Sequence, residues 1–214
     1  MRDLTLIIPA KEESESLPIF LKELENFNYK KLIVIQSEDK KTLDSIANIS
    51  DIEICIQKKR GYGSALIEGI NTTKTKYFCI INADGSMNPK YLAPMLEMCE
   101  KYDFIFASRY LEDVGSEDDD IITFVGNKIF SFIGNLFFKL NLSDILFTYF
   151  VGKTESAKKL NLSYEDFRIC VEIPISAKSK YLTFSSLPSH ERKRIAGKKK
   201  VNPIKDGFLI LTAM

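Results

Sequence analysis

Within the first 110 residues, five short apolar runs alternate with stretches of helical spacing. The runs are Leu4–Pro9 (LTLIIP), Leu32–Gln36 (LIVIQ), Ile52–Gln57 (IEICIQ), Tyr77–Asn82 (YFCIIN) and Phe104–Ser108 (FIFAS). Between the first two, residues 16–27 place Leu17, Phe20, Leu21 and Leu24 on one side of a helix. Shorter helices are predicted over 42–49 and 64–71. Another begins at Asn88-Pro89, an N-cap followed by a first-turn proline, and continues to about Lys101. Strands that are apolar along their whole length, separated by amphipathic helices, specify an α/β fold: a mostly parallel central sheet with helices on both faces. Ligands of such sheets sit in the crevice at the carboxyl ends of the strands.

That rule directs attention to the segment after each run. These are Pro9-Ala10-Lys11-Glu12-Glu13, Gln36-Ser37-Glu38-Asp39-Lys40, Lys58-Lys59-Arg60-Gly61-Tyr62-Gly63-Ser64, Asn82-Ala83-Asp84-Gly85-Ser86 and Ser108-Arg109-Tyr110. All five are charged or glycine-bearing, whereas opposite loops such as Asn28-Tyr29 are plainer. One rim of the sheet is therefore the expected site.

The chain has 214 residues, 45% of them apolar, enough to bury one core, and it reads as a single domain over residues 1–214. Its net charge of +1 conceals a segregation. Residues 112–120 (EDVGSEDDD) carry six acids and no base; residues 190–205 (HERKRIAGKKKVNPIK) carry seven Lys/Arg against Glu191 alone. Two solvated loops would give this pattern, and so would two fields held for a purpose. A nucleic-acid module would rest on the basic run only; the acidic run and the lack of interleaved aromatics argue against it. The four cysteines show no ligand-like spacing, and at least three sit in apolar runs. The start, MRDLTLIIPAKEE, reaches charge too early for a signal peptide, so the expectation is a reduced, cytoplasmic protein.

Arg60-Gly61-Tyr62-Gly63 opens a helix, where glycine lets backbone N–H groups approach an anion; it reads either as a phosphate cradle or as a plain turn. Asn82 and Asp84 leave a buried strand one residue apart and could face one ligand, holding Mg²⁺ or Mn²⁺ if phosphate oxygens complete the shell. The same residues are good turn formers.

Taken in order, these segments resemble the family 2 glycosyltransferases, and within them the dolichyl/polyprenyl-phosphate mannose synthase branch. IIPAKEESESLP is similar to that family's opening, KKRGYGSALIEGI to its basic glycine segment, and CIINADGSMNP stands where its Asp-Ala-Asp motif falls. ASRYLEDVGSEDD, GNKIFSFIGNLFFKLNLSDILFTYF and HERKRIAGKKKVNPIKDGF follow in family order. The resemblance implies a GT-A fold, a GDP- or UDP-sugar donor, Mg²⁺ or Mn²⁺ on its diphosphate, and inversion by single displacement. It places the nucleotide-binding half at 1–110 and the acceptor side at 111–214. Pro9, Ala10, Glu12 and Glu13 would border the nucleotide, Glu38 or Asp39 would meet the base, and Arg60, Gly61 and Gly63 would lie at the diphosphate. Asp84 and Asn82 would hold the metal, and Asp144 would sit near the acceptor. Arg192, Gly197, Lys198 and Lys200 would belong to a mobile basic loop closing over phosphates. Asp84, Asp144, Arg192 and Lys200 are thus the expected catalytic set.

Three departures from the family pattern stand out. Glu12 replaces Asn, Ile35-Gln36-Ser37-Glu38 replaces an Asp-Asp-Gly-Ser segment, and Asn82 replaces the first metal-motif Asp. Losing one carboxylate weakens the hold on a dication.

The acceptor decides whether a base is required. An alcohol must lose its proton as it attacks, and Asp144 would take it. A lipid phosphate is already anionic and instead needs cations, which residues 192–200 supply. Residues Ile121–Leu142 repeat Asn127, Ser131, Asn135 and Lys139 every fourth position, with apolar residues around the remainder. This helix is read either as buried in the core or as lying peripherally on a membrane. The expected activity is hexose transfer to a polyprenyl-type phosphate. Transfer to a sugar hydroxyl, or nucleotide-sugar binding without turnover, are the alternatives.

Overall fold

The computed structural model describes residues 3–214; Met1 and Arg2, and the start of the N-terminal reading with them, lie outside the described residues. One seven-stranded sheet organises the chain. Strands β1 (Leu4–Ala10), β2 (Lys30–Ile35), β3 (Glu53–Ile56) and β4 (Tyr77–Ile80) are parallel in the order β3-β2-β1-β4. Beyond β4 the order is β6 (Phe150–Lys153), β5 (Phe104–Ser108), β7 (Phe184–Pro188), with β6 antiparallel to both neighbours. The expected α/β class with a mostly parallel sheet is therefore the observed one. The insertion of β6 between β4 and β5 was not readable in the sequence. Its Gly152 explains the fit: a Cβ there would lie 2.7 Å from the Phe104 ring and 2.9 Å from that of Phe78.

Side chains alternate between two cores, as strand geometry requires. Leu4, Leu6, Ile8, Ile33 and Ile35 pack against α1 (Leu17–Leu24), the end of α2 (Lys40–Ile46) and α4 (Leu92–Met98). Ile7, Leu32 and Val34 pack against α3 (Tyr62–Thr72), and the same core takes in α6 (Thr154–Lys158) and α7 (Ile169–Ser179). Asp39 caps α2 by accepting from Thr42 N–H. The predicted helix after Asn88 divides into one 3₁₀ turn over Pro89–Tyr91 and then α4. β3 is an edge strand with Ile54 and Ile56 half exposed, not buried throughout as its apolar run suggested. Cys79, Cys99 and Cys170 are buried and free, and burial pushes the thiols of Cys99 and Cys170 up to about 12.

Helix α5 (Ile121–Phe138) is inside out. Asp120 and Thr123 cap its start reciprocally, and Lys139 ends it in the left-handed conformation. Asn127, Ser131 and Asn135 of its polar stripe bond the protein, while Lys139 is exposed. Asn127 Oδ1 accepts from Leu146 N–H, Ser131 Oγ accepts from Ile145 N–H at 3.1 Å, and Asn135 exchanges two hydrogen bonds of 2.9 Å with Leu142. The irregular segment 140–146 has polar backbone to satisfy, and the stripe satisfies it. The apolar side faces outward: Ile121 is 82%, Phe132 66% and Phe137 72% exposed. The core-helix reading is overturned. By length and composition α5 could cross a membrane, yet its polar stripe is hydrogen-bonded to the domain. Helix α8 (Pro203–Thr212) packs beside it and exposes Ile204, Phe208 and Leu211.

Candidate active site

The carboxyl ends of β1, β2 and β4 form one rim. After β1, Glu12 adopts φ 54° and donates its N–H to Asp39 at 2.6 Å, while Glu13 donates its own to Thr42 Oγ1 at 3.0 Å. The β2–α2 turn thereby fixes the loop that follows Pro9 and Ala10 at the end of β1. Glu13 is buried and accepts from Ser16 Oγ. At the outer end, Glu38 and Arg60 form an exposed ion pair of 3.3 Å.

Asp84 follows β4 and is buried. Its Oδ1 accepts from Ser86 N–H (3.0 Å) and Ser86 Oγ (2.9 Å); its Oδ2 lies 3.5 Å from Arg194 Nη1. Asn82 Oδ1 accepts from the Tyr62 hydroxyl at 3.0 Å, and that hydroxyl also meets Thr148 Oγ1 at 2.6 Å. Burial pushes the Tyr62 phenol well above its ordinary value, so it is a donor here rather than an anion. Among the described residues no three His, Cys, Asp or Glu side chains converge on a cation position. Asp84 Oδ2 is the one oxygen of this motif facing a cation, an arginine. A divalent ion fits there if ligand oxygens supply most of its shell.

The glycines of the Arg60–Gly63 segment have a packing reason of their own. A Cβ on Gly61 would lie 2.0 Å from Glu165 O, and one on Gly63 would lie 2.2 Å from Tyr164 O and 2.7 Å from Asp166 O. The segment 164–166 packs on them, and Glu165 O accepts from Ser64 N–H at 3.0 Å. At the start of α3 the two glycines thus make room for the chain's own backbone, which takes the Ser64 N–H. Arg60 remains on the rim.

The basic run lies across the rim. Arg192 N–H donates to Ser86 O (2.9 Å) and Ile195 N–H to Asp84 O (2.8 Å). Gly85, at φ 75°, accommodates the Ile195 side chain where a Cβ would clash at 2.5 Å. Gly197 turns at φ 80° beside Glu13 and Lys200. Four cations of the loop are paired with acids: Arg192 with Glu23 (2.8 Å), Arg194 with Asp118 (2.6 Å), Lys199 with Asp120 (3.0 Å) and Lys200 with Glu13 (3.1 Å). Lys198 is exposed, and its carbonyl accepts from Lys200 Nζ. His190 places Nδ1 2.6 Å from Val114 O and Nε2 2.9 Å from Glu117. The acidic and basic runs, distant in sequence, are neighbours.

Asp144 corrects a second expectation. Its side chain is fully buried, accepting from Arg109 N–H, Nε and Nη2 at 2.8–2.9 Å and from Asn127 Nδ2. A carboxylate held by a guanidinium on one side and an amide on the other is not placed to take a proton. Arg109 also meets Glu191 at 3.1 Å and stacks over Phe147. Burial opposes the Arg109 charge, but Asp144 beside it overrides that and holds the guanidinium well above its ordinary value. Burial raises the Glu191 carboxyl. Glu191, Asp118 and Glu23 were not singled out as site residues from the sequence, and Arg109 was noted only within the Ser108-Arg109-Tyr110 rim segment.

The structure thus brings Glu13, Asp84, Arg192, Arg194 and Lys200 together, packs Gly61 and Gly63 against residues 164–166, and buries Asp144 against Arg109. A cavity of about 770 Å³ opens at the other end of β2 among Phe27, Tyr29, Lys31 and Ile52, away from this chemistry.

The sequence profile of Glycosyl transferase family 2 matches residues 5–160. An uncharacterized protein of Methanocaldococcus jannaschii is 25% identical over 194 residues, covering 87% of this chain and 80% of its own. An uncharacterized glycosyltransferase of Mycobacterium tuberculosis is 31% identical over 98 residues, 42% of this chain and 43% of its own. Among solved structures, glucosyl-3-phosphoglycerate synthase from M. tuberculosis with uridine diphosphate aligns at TM-score 0.73 and 12% identity, over 99% of this chain and 78% of that one. That enzyme is also known with Mn²⁺ and uridine diphosphate. Mannosyl-3-phosphoglycerate synthase from Rubrobacter xylanophilus aligns at 0.68 and 16% identity, over 98% and 72% of the two chains.

Proposed function

Because the chain belongs to the family 2 glycosyltransferases, with their GT-A fold, we propose that it transfers a hexose from a GDP- or UDP-sugar to a polyprenyl-type lipid phosphate. The observation that carries the acceptor is the inside-out α5. Its outward face is apolar apart from Lys128 and α8 extends it, while Asn127 on its inward face bonds Asp144, which holds Arg109 at the end of β5. An apolar surface joined this directly to the catalytic rim suits an acceptor whose tail lies in a bilayer. Lys128, Lys139 and Lys205 are exposed on or beside these helices, matching an anionic lipid surface on the cytoplasmic side.

Donor binding falls to the rim. The β1 loop at Glu12–Glu13 and the Glu38–Arg60 pair border the nucleotide, and the base is met by Glu38, Asp39 or backbone. Asp84, with Asn82 beside it, would hold Mg²⁺ or Mn²⁺ together with diphosphate oxygens. When bound, that ion stabilises the charge developing on the leaving nucleoside diphosphate. Arg192 and Lys200, now paired with Glu23 and Glu13, turn toward the diphosphate. An acceptor phosphate oxygen attacks the anomeric carbon from the face opposite the leaving group, the carbon–oxygen bond to the diphosphate breaks, and the configuration inverts. A phosphate needs no base. In this reading Asp144 positions Arg109 and moves no proton.

The test is a transfer assay with labelled GDP- and UDP-hexoses and vesicles containing polyprenyl phosphate. Label extracted with the lipid supports the reading. Label delivered instead to a sugar hydroxyl, or to a small phosphorylated acceptor such as the one the structural neighbours are named for, overturns the lipid acceptor. Nucleotide binding with no transfer to any acceptor identifies a binding protein without turnover.

A further inference from the structure

The proposed reaction leaves the acidic run 112–120 without a role, and one of its residues sits against the metal motif. Arg194 lies between two carboxylates. Its Nε and Nη2 donate to the two oxygens of Asp118 at 3.0 and 2.6 Å, while its Nη1 stands 3.5 Å from Asp84 Oδ2. Only 17% of the Arg194 side chain and 11% of each carboxylate side chain remain exposed. The two grips are unequal. The fork on Asp118 is a bidentate pair, and the approach to Asp84 is longer than a good charge-assisted hydrogen bond. The other Asp84 oxygen is already taken by Ser86, so Oδ2 is where a cation enters, and Arg194 covers it. The backbone on either side of Arg194 is pinned to residues 84–86 through the Arg192 and Ile195 N–H groups. A side-chain movement alone uncovers Oδ2.

We propose that the Arg194 Nη1 and a divalent cation exchange at Asp84 Oδ2, and that Asp118, which already grips Arg194 through Nε and Nη2, retains the arginine when Nη1 leaves. The inference rests on the reading of Asp84 as the donor-metal residue. Without a donor, Arg194 neutralises a carboxylate that would otherwise stand buried and uncompensated. With the donor, the ion takes that position, and Asp118 keeps the displaced arginine from being stranded. The two residues therefore act on metal affinity with opposite signs. Removing the Arg194 charge frees Oδ2, whereas removing the Asp118 charge leaves Arg194 only Asp84 to hold.

Titration of the full chain with Mn²⁺, alone and with UDP or GDP present to complete the shell, following the free-ion signal by electron paramagnetic resonance, tests this directly. Arg194→Gln is expected to bind Mn²⁺ about fivefold more tightly or better, Asp118→Asn about fivefold more weakly, and the double variant like Arg194→Gln. Arg194→Met, which keeps the aliphatic stem, carries the same expectation if the Gln variant does not fold. Unchanged affinity in the Arg194 variants, or a tightening in Asp118→Asn, overturns the exchange. The arms with UDP and GDP separate the two levels. If nucleotide-dependent Mn²⁺ binding is intact in the wild type and Arg194→Gln changes nothing, the exchange alone fails. If no protein binds Mn²⁺ with or without nucleotide, the donor-site reading fails with it.

Discussion

Gly63 and Asp144 show how one side chain, or its absence, is fixed by partners far away in sequence. A methyl group on Gly63 would press against two backbone carbonyls of the 164–166 segment, which cannot rotate away as a side chain can. Gly63→Ala is expected to lower stability by about 1–3 kcal/mol, read as a shift in the urea midpoint. Asp144→Ala leaves Arg109 buried without its main counter-ion and is expected to cost about 3–5 kcal/mol. A solvent-facing general base would cost almost nothing to remove, so equilibrium unfolding of this variant separates the two roles. Asp84 was legible in the sequence because it leaves a strand that any reading recognises. The roles of Gly63 and Asp144 were not, because their partners, Glu165 and Arg109, lie 102 and 35 residues away and no local pattern joins them.

At the scale of elements, α5 separates stability from function. Phe132 and Phe137 contact solvent more than protein, so Phe132→Ser with Phe137→Ser should leave the unfolding free energy within about 0.5 kcal/mol. The same pair should reduce flotation with vesicles containing anionic lipid; full retention of flotation would remove α5 from the membrane contact. On the inward face the order reverses: Asn135→Leu strips the Leu142 backbone of two partners and should destabilise by about 1–3 kcal/mol. The helix itself was legible from its polar stripe at every fourth residue. Which side faced inward was not. Burying the apolar side is the ordinary outcome, and it was overridden by the backbone of 142–146, whose need for partners cannot be read from local composition. β6 escaped for a related reason: four residues with Gly and Lys become a strand only because β4 and β5 flank them.

Across the whole molecule, the acidic and basic runs, opposite in sign, are folded onto each other over the rim. His190 lies at the junction. Its Glu117 partner, then the Val114 carbonyl, raises its pKa above the ordinary value, and only the protonated ring donates to both. Lys90 opposes the shift, more weakly. A raised folded-state value stabilises fully below the unfolded pKa of about 6.5 and loses that contribution as pH rises through the folded value. Stability of the wild type should therefore decline relative to His190→Gln as pH increases above about 6.5, and parallel curves would show that the His190 contact contributes nothing. The segregation of charge was visible in the sequence; the contact between the runs was not, because Met87 and Ser116 bridge to Glu191 only once the sheet is assembled.

As proposed, this rim binds a nucleoside diphosphate through Asp84 and a divalent ion. Thermal unfolding with UDP and with GDP, each in Mn²⁺ and in EDTA, tests it most directly. One of the two nucleotides should raise the transition temperature more with Mn²⁺ than with EDTA, and Asp84→Ala should abolish the Mn²⁺-dependent part of the rise. The absence of any nucleotide response in the wild type, or a Mn²⁺-dependent rise that survives in Asp84→Ala, would contradict it.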